Sequence, residues 1–249
     1  MVKGVSIRFQ SYNETIPKLL KAIGFERELK KHEKILLKPS LEENENNSTN
    51  TSFVENVLKF IIENKNPGAD VFIVEGCDGH DTEEVFEDLG FRGLSEKYGV
   101  GLIDLNDADT EIIEDGEFLR FDKIFFPRIL QEGFLISLPK LREDEESIIS
   151  CSLSGMLGAF PASYYKGFFS RSKNKIKKWP LKYSIHDILK CKMPDFAIVD
   201  ASENGAILAG NPIEMDKQAS KLLAIDWKEV PYIRLVDENF RIEENKNKN

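Results

Sequence analysis

One loop of the sequence concentrates side chains suited to chemistry. Glu75, Asp78, His80 and Asp81 lie within seven positions, separated by glycines. Carboxylates and an imidazole in such a loop can hold a divalent cation, and hard oxygen ligands favour Mg²⁺. His80 alone can shuttle protons, because histidine titrates near neutral pH. The competing interpretation is a solvated turn whose aspartates cap the next helix. The sequence leaves all three open.

Polar residues also end several short apolar runs. They are Lys38, Glu75, Asp200 and Asp226, and Asn211 follows in a polar loop. Ligands of open parallel sheets bind beyond the carboxyl ends of the strands, so we expect these side chains to converge at one edge. Lys38 then either binds an anion or pairs with Glu75. Asp200 and Asp226 are either ligands or helix N-caps.

A third candidate is the basic, aromatic segment 166–182, which contains no acidic residue. Its candidate anion-binding residues are Lys166, Arg171, Lys173, Lys177 and Lys178, interleaved with Phe168, Phe169 and Trp179. Cations beside aromatic rings suit an anionic partner, a phosphate or a stacked base. The alternative is a solvated basic face that balances the acidic stretch 104–117 within the fold or in a dimer.

The elements that position these residues follow an α/β pattern. Short apolar runs alternate with helical spacing, which predicts a mainly parallel sheet with helices on both faces. We expect strands at 35–38, 71–75, 134–138, 196–200 and 223–226, an opening strand at 5–9, and a hairpin within 104–117 that turns at Asp115-Gly116. Residues 1–240 are predicted to form a single α/β domain, with 170–180 as an excursion if there are two lobes, and 241–249 a polar tail.

Composition narrows the function classes. A net charge of −9 makes nucleic acid an improbable partner, because nonspecific binding needs a basic footprint. The three cysteines, Cys77, Cys151 and Cys191, form no C-x-x-C pair, so this chain alone is not expected to ligate an iron–sulfur cluster. Sparse cysteines and an N-terminus without an apolar leader predict a cytoplasmic protein. No stretch reaches the ~18 apolar residues of a membrane helix, and no membrane partner is expected.

Several motifs together resemble one known family. They are Lys38-Pro39-Ser40, Val74-Glu75-Gly76 with Asp81-Thr82, Ser137-Leu138-Pro139-Lys140, Leu153–Phe160, Asp200 with Gly210-Asn211-Pro212, and Ala224-Ile225-Asp226. Their order and spacing over residues 34 to 237 are similar to those of the domain of unknown function 362. The resemblance implies an α/β domain with a loose association with redox or cofactor chemistry. It implies no settled activity.

The chain departs from the family pattern at three places. Ser40 stands where the pattern has asparagine, Arg142-Glu143-Asp144 where it has Lys-Thr-His, and Ser154-Gly155 where it has Lys-Asn. The ferredoxin-type module that accompanies some members is not part of this sequence, which lacks the cysteines. The chain therefore resembles a divergent member.

Two functions remain open from the sequence. One is an enzyme or cofactor-handling protein for a small anionic metabolite, acting through Lys38, Glu75 and Asp200, and the retained polar strand ends favour it. The other is a non-catalytic binding or assembly protein that uses segment 166–182, and the replaced Lys-Thr-His favours that. The cofactor, the metal and the oligomeric state, including a homo-oligomer, are left open.

Overall fold

The computed structural model describes residues 4–42 and 44–246, and the side chains of 241–246 are not described. The strands are β1 (Val5–Arg8), β2 (Lys34–Pro39), β3 (Asp70–Glu75), β4 (Gly101–Asp104), β5 (Thr110–Ile113), β6 (Ile124–Pro127), β7 (Phe134–Leu138), β8 (Arg142–Asp144), β9 (Ile148–Ser150), β10 (Phe196–Ala201) and β11 (Ala206–Gly210). The α-helices are α1 (Tyr12–Ala22), α2 (Phe25–Leu29), α3 (Thr51–Asn64), α4 (Thr82–Asp88), α5 (Phe91–Tyr98), α6 (Ile129–Glu132), α7 (Ala162–Tyr165), α8 (Asn174–Lys177), α9 (Leu181–Cys191), α10 (Pro212–Leu222) and α11 (Pro231–Lys246).

Seven strands form the central sheet, in the order β1-β11-β10-β7-β2-β3-β4. The five strands from β10 to β4 pair in parallel, whereas β11 runs antiparallel between β10 and β1. The carboxyl ends of β2, β3, β7 and β10 therefore reach one edge of the sheet. This is the edge at which α/β sheets bind ligands. The mainly parallel sheet predicted from the sequence is confirmed.

Helices cover both faces because successive residues of a strand point to opposite sides. Ile35 and Leu37 of β2 pack into one apolar cluster, which includes residues of α1 and α3. Leu36, between them, packs into a second cluster, which includes residues of α9, α10 and α11. All three side chains are fully buried. A strand buried on both faces reads as a continuous apolar run, and this made β2 recognisable in the sequence.

The predicted strand 223–226 is wrong. Leu223 caps the end of α10, and Ala224 adopts a left-handed conformation with φ of 57°. The N–H of Ile225 then donates to the carbonyl of Ser220 at 3.0 Å, which closes a Schellman-type helix end. Three apolar residues fit a strand or a helix terminus equally well, so the run alone could not decide. In the sheet, β10 lies between β7 and β11, and β11 takes the place next to β10.

The predicted hairpin is only partly right. β5 pairs with β6, which begins at Ile124, and Asp115 and Gly116 lie in the connection between them. The N–H of Phe118 donates to the carbonyl of Asp115 at 3.1 Å, so the turn is present but the second strand lies beyond residue 117.

At the C-terminus, α11 continues through residues 241–246 of the predicted polar tail, and 247–249 lie outside the described residues. None of the described helices is both long and apolar enough to span a bilayer.

Candidate functional site

The centre of the site is a buried ion pair between two adjacent strand ends. Lys38 on β2 and Glu75 on β3 are each 2% exposed. The Lys38 ammonium donates to both carboxylate oxygens of Glu75, at 2.9 and 2.8 Å, and to the carbonyl of Gly155 at 2.8 Å. These three bonds use all three N–H groups of the lysine. Of the two interpretations of Lys38 drawn from the sequence, the structure shows the pairing with Glu75.

The turn at 154–159 packs its backbone directly against the Lys38–Glu75 pair, which requires residues without a side chain. A Cβ on Gly158 would lie 1.9 Å from the Glu75 carboxylate and 2.7 Å from the Lys38 ammonium. A Cβ on Gly155 would lie 2.8 Å from the Ser40 hydroxyl. Any side chain at Gly158 would therefore displace the ion pair, and this explains the glycine at that position.

A second buried lysine, Lys173, reaches the same place from the basic segment. Its ammonium donates to the carbonyls of Gly76 at 2.8 Å and Gly158 at 3.2 Å, and the residue is 1% exposed. Burial lowers the pKa of Lys173 to about 8, against the nearby Glu75 carboxylate, which raises it. The sequence named Lys173 as a candidate anion-binding residue, with a solvated basic face as the alternative, and neither interpretation predicted that it is buried. Its partners lie 97 and 15 positions away, so no local pattern could reveal the burial.

Glu75 and Lys173 line a cleft of about 690 Å³, and Lys38 contacts the lining residues Glu75 and Gly155. That volume lies within the range of small-molecule sites. Ser40, Glu75, Gly155, Gly158 and Lys173 line its floor or walls. The rim carries charges of both signs, namely Glu42, Asp78, His80, Arg142, Glu143, Asp144, Glu145, Glu146 and Lys177. The site is therefore a polar cleft at the carboxyl edge of the sheet.

The loop after β3 does not gather its acidic side chains around one point. Asp81 caps α4 by accepting from the N–H groups of Glu83 and Glu84. Asp78 accepts from the backbone N–H of Lys173 and pairs with Lys177 at 3.0 Å. Across the described residues, no three His, Cys, Asp or Glu side chains are grouped as a metal ion would need. The structure favours the turn and capping interpretation of this loop, with His80 exposed on the rim.

The remaining strand-end candidates do not join Lys38. The Asp200 carboxylate accepts from the Tyr12 hydroxyl at 2.8 Å and from the Ser202 N–H at 3.1 Å. Its strand, β10, is separated from β2 by β7. Burial, together with the Asp200 charge, raises the pKa of Tyr12 well above its usual value, so this phenol stays protonated. Asp200 thus belongs to a separate polar contact.

Asn211 and Asp226 lie elsewhere, contrary to the expected convergence. Asn211 follows β11, whose antiparallel direction carries its carboxyl end to the opposite edge of the sheet, and it caps α10. Asp226 is not at a strand end, because 223–226 is not a strand, and it caps the short turn at 227–229. Both are helix N-caps, which was the alternative considered for Asp226.

An asparagine absent from the predictions supports the cleft. The Asn106 amide donates to the carbonyl of Cys77 at 3.0 Å and to the Thr82 hydroxyl at 3.1 Å, and its oxygen accepts from the N–H of Ala162. It thereby ties the loop after β3 to the segment beyond the glycine turn. Asn106 lies two positions beyond the end of β4, so a rule that selects the polar last residue of a strand does not find it.

The model of the family described as domain of unknown function (DUF362) matches residues 35–224 of the chain. The chain belongs to this family. The search of curated proteins finds no match. Among solved structures, this DUF362 chain is similar to the lactate racemase apoprotein from Thermoanaerobacterium thermosaccharolyticum, with a TM-score of 0.55 and 13% identity. The match covers 92% of this chain and 58% of that one, so this chain spans less than two thirds of that protein. At this identity, the likeness shows the fold alone.

The three places where the resemblance implies a departure from the family pattern all lie along the cleft. Ser40, the stretch Arg142–Asp144 and Ser154-Gly155 all line it, although they are separated by up to about a hundred positions in the sequence. Arg142 forms ion pairs with Glu42 and Asp144 on the rim. The residues that the sequence analysis singled out at these three places are therefore neighbours of Glu75 in the cleft lining.

Proposed function

We propose that this protein binds a small anionic metabolite or cofactor in the cleft at the carboxyl ends of β2 and β3, as an enzyme or a cofactor-handling protein. One observation carries the proposal: two buried lysines, Lys38 and Lys173, share a single buried carboxylate, Glu75. Among the described residues, Glu75 is the one carboxylate hydrogen-bonded to either ammonium. An uncompensated buried charge is costly, and a bound anion would offset it.

Lys173 is the group that would meet the anion. Two carbonyls accept from its ammonium, which leaves one N–H for a ligand oxygen. With a pKa of about 8, Lys173 is mostly protonated at neutral pH. Because this pKa lies close to neutral pH, the amine can exchange a proton with a bound ligand. Ligand affinity should therefore fall as the pH rises above about 8.

The rim indicates what kind of anion fits. Its acidic residues outnumber its basic ones, and Glu143, Glu145 and Glu146 are exposed. The exposed rim charges are screened by solvent and salt, so the buried Lys173 ammonium sets the affinity for one anionic group of the ligand. The acidic rim still repels any further negative charge on the ligand. The arrangement favours a small molecule with a single anionic group over a polyanion. Because the structurally similar protein is named for lactate, lactate is a suitable first probe.

The test compares two buried lysines. Lys173→Met removes the cleft ammonium, and Lys217→Met removes an ammonium that is 5% exposed and paired with Asp237 outside the cleft. Native mass spectrometry of the full chain, purified from its own host, reports any retained ligand. Isothermal titration with lactate, glycolate and inorganic phosphate then measures affinity. We expect the chain and Lys217→Met to retain or bind a small anion, and Lys173→Met to lose at least tenfold in affinity. No binding by the unaltered chain, or equal loss in both variants, would refute the proposal.

A further inference from the structure

The basic, aromatic segment 166–182 divides into an inner and an outer side. Lys173 and Lys177 face the cleft, where Lys173 is buried and Lys177 pairs with Asp78. Phe168 and Phe169 point away from the protein and are 95% and 97% exposed. We call these two residues the aromatic tip. Nothing in the proposed ligand binding uses them.

The aromatic tip lies on a short closed loop. The N–H of Ser170 donates to the carbonyl of Gly167, and the N–H of Gly167 donates to the carbonyl of Ser172, both at 3.3 Å. The two rings contact each other edge to face, with centroids 4.8 Å apart. Two adjacent phenylalanines so fully exposed are unfavourable in water, because transfer of their rings to an apolar environment is favourable. The tip therefore needs an apolar partner.

The segment that carries the aromatic tip also carries exposed cations. Lys166, Arg171 and Lys178 are exposed, and no ion pair involves them within the part of the chain that the structure describes. Trp179, 66% exposed, adds a third aromatic side chain to the same segment. The whole chain carries a net charge of −9, so the rest of its surface is more acidic still. The cationic segment is thus the part of the protein that an anionic surface would attract.

The shape of the tip favours a lipid surface over a protein. Protein interfaces concentrate their binding energy in packed apolar centres surrounded by a rim. The tip instead projects from a loop whose other residues are small or polar, Gly167, Ser170 and Ser172. Aromatic side chains that enter the headgroup region, flanked by Lys and Arg near anionic phosphates, are typical of surface attachment to membranes.

We propose that the aromatic tip and its flanking cations attach this protein peripherally to anionic lipid surfaces. The described helices include no membrane span, but surface attachment needs none. The proposal therefore replaces the expectation that a membrane is not a partner. It is independent of the ligand proposed for the cleft, because the tip is exposed whereas Lys173 is buried.

The experiment measures co-sedimentation of the full chain with large unilamellar vesicles. Vesicles of phosphatidylcholine with 30% phosphatidylglycerol are compared with vesicles of phosphatidylcholine alone, at low and high salt. We expect binding to the anionic vesicles that weakens with salt. Phe168→Ser with Phe169→Ser should reduce it at least tenfold, whereas Ile112→Ser, at a 54% exposed apolar residue outside the segment, should not.

Charge is tested with a matched triple variant. Neutralising Lys166, Arg171 and Lys178 with glutamine should weaken vesicle binding about 100-fold, at roughly 1 kcal/mol per cation near an anionic surface. The control triple, Lys18→Gln, Lys21→Gln and Lys30→Gln, removes the same charge from exposed residues of and near α1 and α2 and should have a much smaller effect.

A spectroscopic readout locates the contact. The chain has two tryptophans, so in a Trp227→Phe background the emission reports Trp179 alone, and it should shift to the blue on anionic vesicles. Equal binding to both vesicle types, no binding, or binding that the tip variants leave unchanged would overturn the proposal. So would a dimer seen by light scattering that Phe168→Ser with Phe169→Ser dissociates, because the tip would then be covered by a second copy of the chain.

Discussion

The two edges of the central sheet each carry a depression, and they differ in how charge is balanced. At the amino ends of the strands, a depression of about 760 Å³ is lined by Lys34, Glu132, Lys192 and Asp195 among others. There, Lys34 pairs with Glu132 at 2.5 Å and Lys192 with Asp195 at 2.9 Å, and all four side chains are partly exposed. At the carboxyl edge, two buried lysines depend on Glu75. The two depressions are of similar size, so they differ chiefly in the burial and the pairing of their charges.

The physical difference lies in the cost of each charge. An exposed ion pair exchanges water for its partner at little net gain or loss. A buried ammonium loses its hydration and depends on the partner that the fold supplies. Under the proposed function, a ligand would offset the cost of the buried ammonium at the carboxyl edge, whereas the exposed pairs at the amino edge carry little such cost. Variants that act on one edge and leave the other unchanged test this interpretation.

The largest expected effect is from Glu75→Gln. It leaves the Lys38 and Lys173 ammoniums without their shared carboxylate, and breaking a buried pair from one side costs about 3–5 kcal/mol of unfolding free energy. Glu132→Gln removes one exposed carboxylate at the amino edge and should change stability little. Urea denaturation followed by circular dichroism measures both. Similar midpoints for the two variants would show that the edges do not differ as described.

At the carboxyl edge, the strands were easier to predict from the sequence than the contacts between their side chains. β2, β3, β7 and β10 were predictable because strands buried on both faces are continuous apolar runs, and the lysine and glutamate that end β2 and β3 were predictable from the direction of parallel strands. The burial of Lys173 was not, because it depends on carbonyls at Gly76 and Gly158 that the folded chain brings together. The placement of Asp226 at a strand end was wrong because residues 223–226 do not form a strand. The apolar run Leu-Ala-Ile is equally compatible with the end of a helix.

The second prediction concerns pH. The pKa of Lys173 is lowered to about 8 in the folded protein from the ordinary lysine value of ~10.4. Between these values the unfolded chain binds more protons, so folding stability gained from this group rises with pH. From pH 7 to pH 10, the unfolding free energy of the unaltered chain should rise by roughly 2–3 kcal/mol relative to that of Lys173→Met.

Lys34→Met provides the comparison at the amino edge, because Lys34 is partly exposed and paired with Glu132. It is the control for the loss of one lysine charge, and both variants are measured at the same pH values. Unfolding free energies at each pH come from urea titrations. A flat difference for Lys173→Met would mean that the buried ammonium is fully compensated, and the charge imbalance at the carboxyl edge would have to be abandoned.

The smallest expected effect on stability comes from adding a methyl group at each edge, and anion affinity then distinguishes the two edges. Gly158→Ala places a methyl group on the Lys38–Glu75 pair, and Gly133→Ala, in the lining of the other depression, places one 2.7 Å from the Leu36 side chain. Overpacking costs typically 1–3 kcal/mol, so both variants should be less stable than the unaltered chain. Only Gly158→Ala should also lose affinity for the anion bound by the unaltered chain, because only there does the displaced group shape the floor of the cleft. The affinities are measured at a temperature where both variants are folded. If Gly158→Ala and Gly133→Ala bind the anion equally well, the ion pair does not contribute to ligand binding, and Lys38 and Glu75 have a structural role.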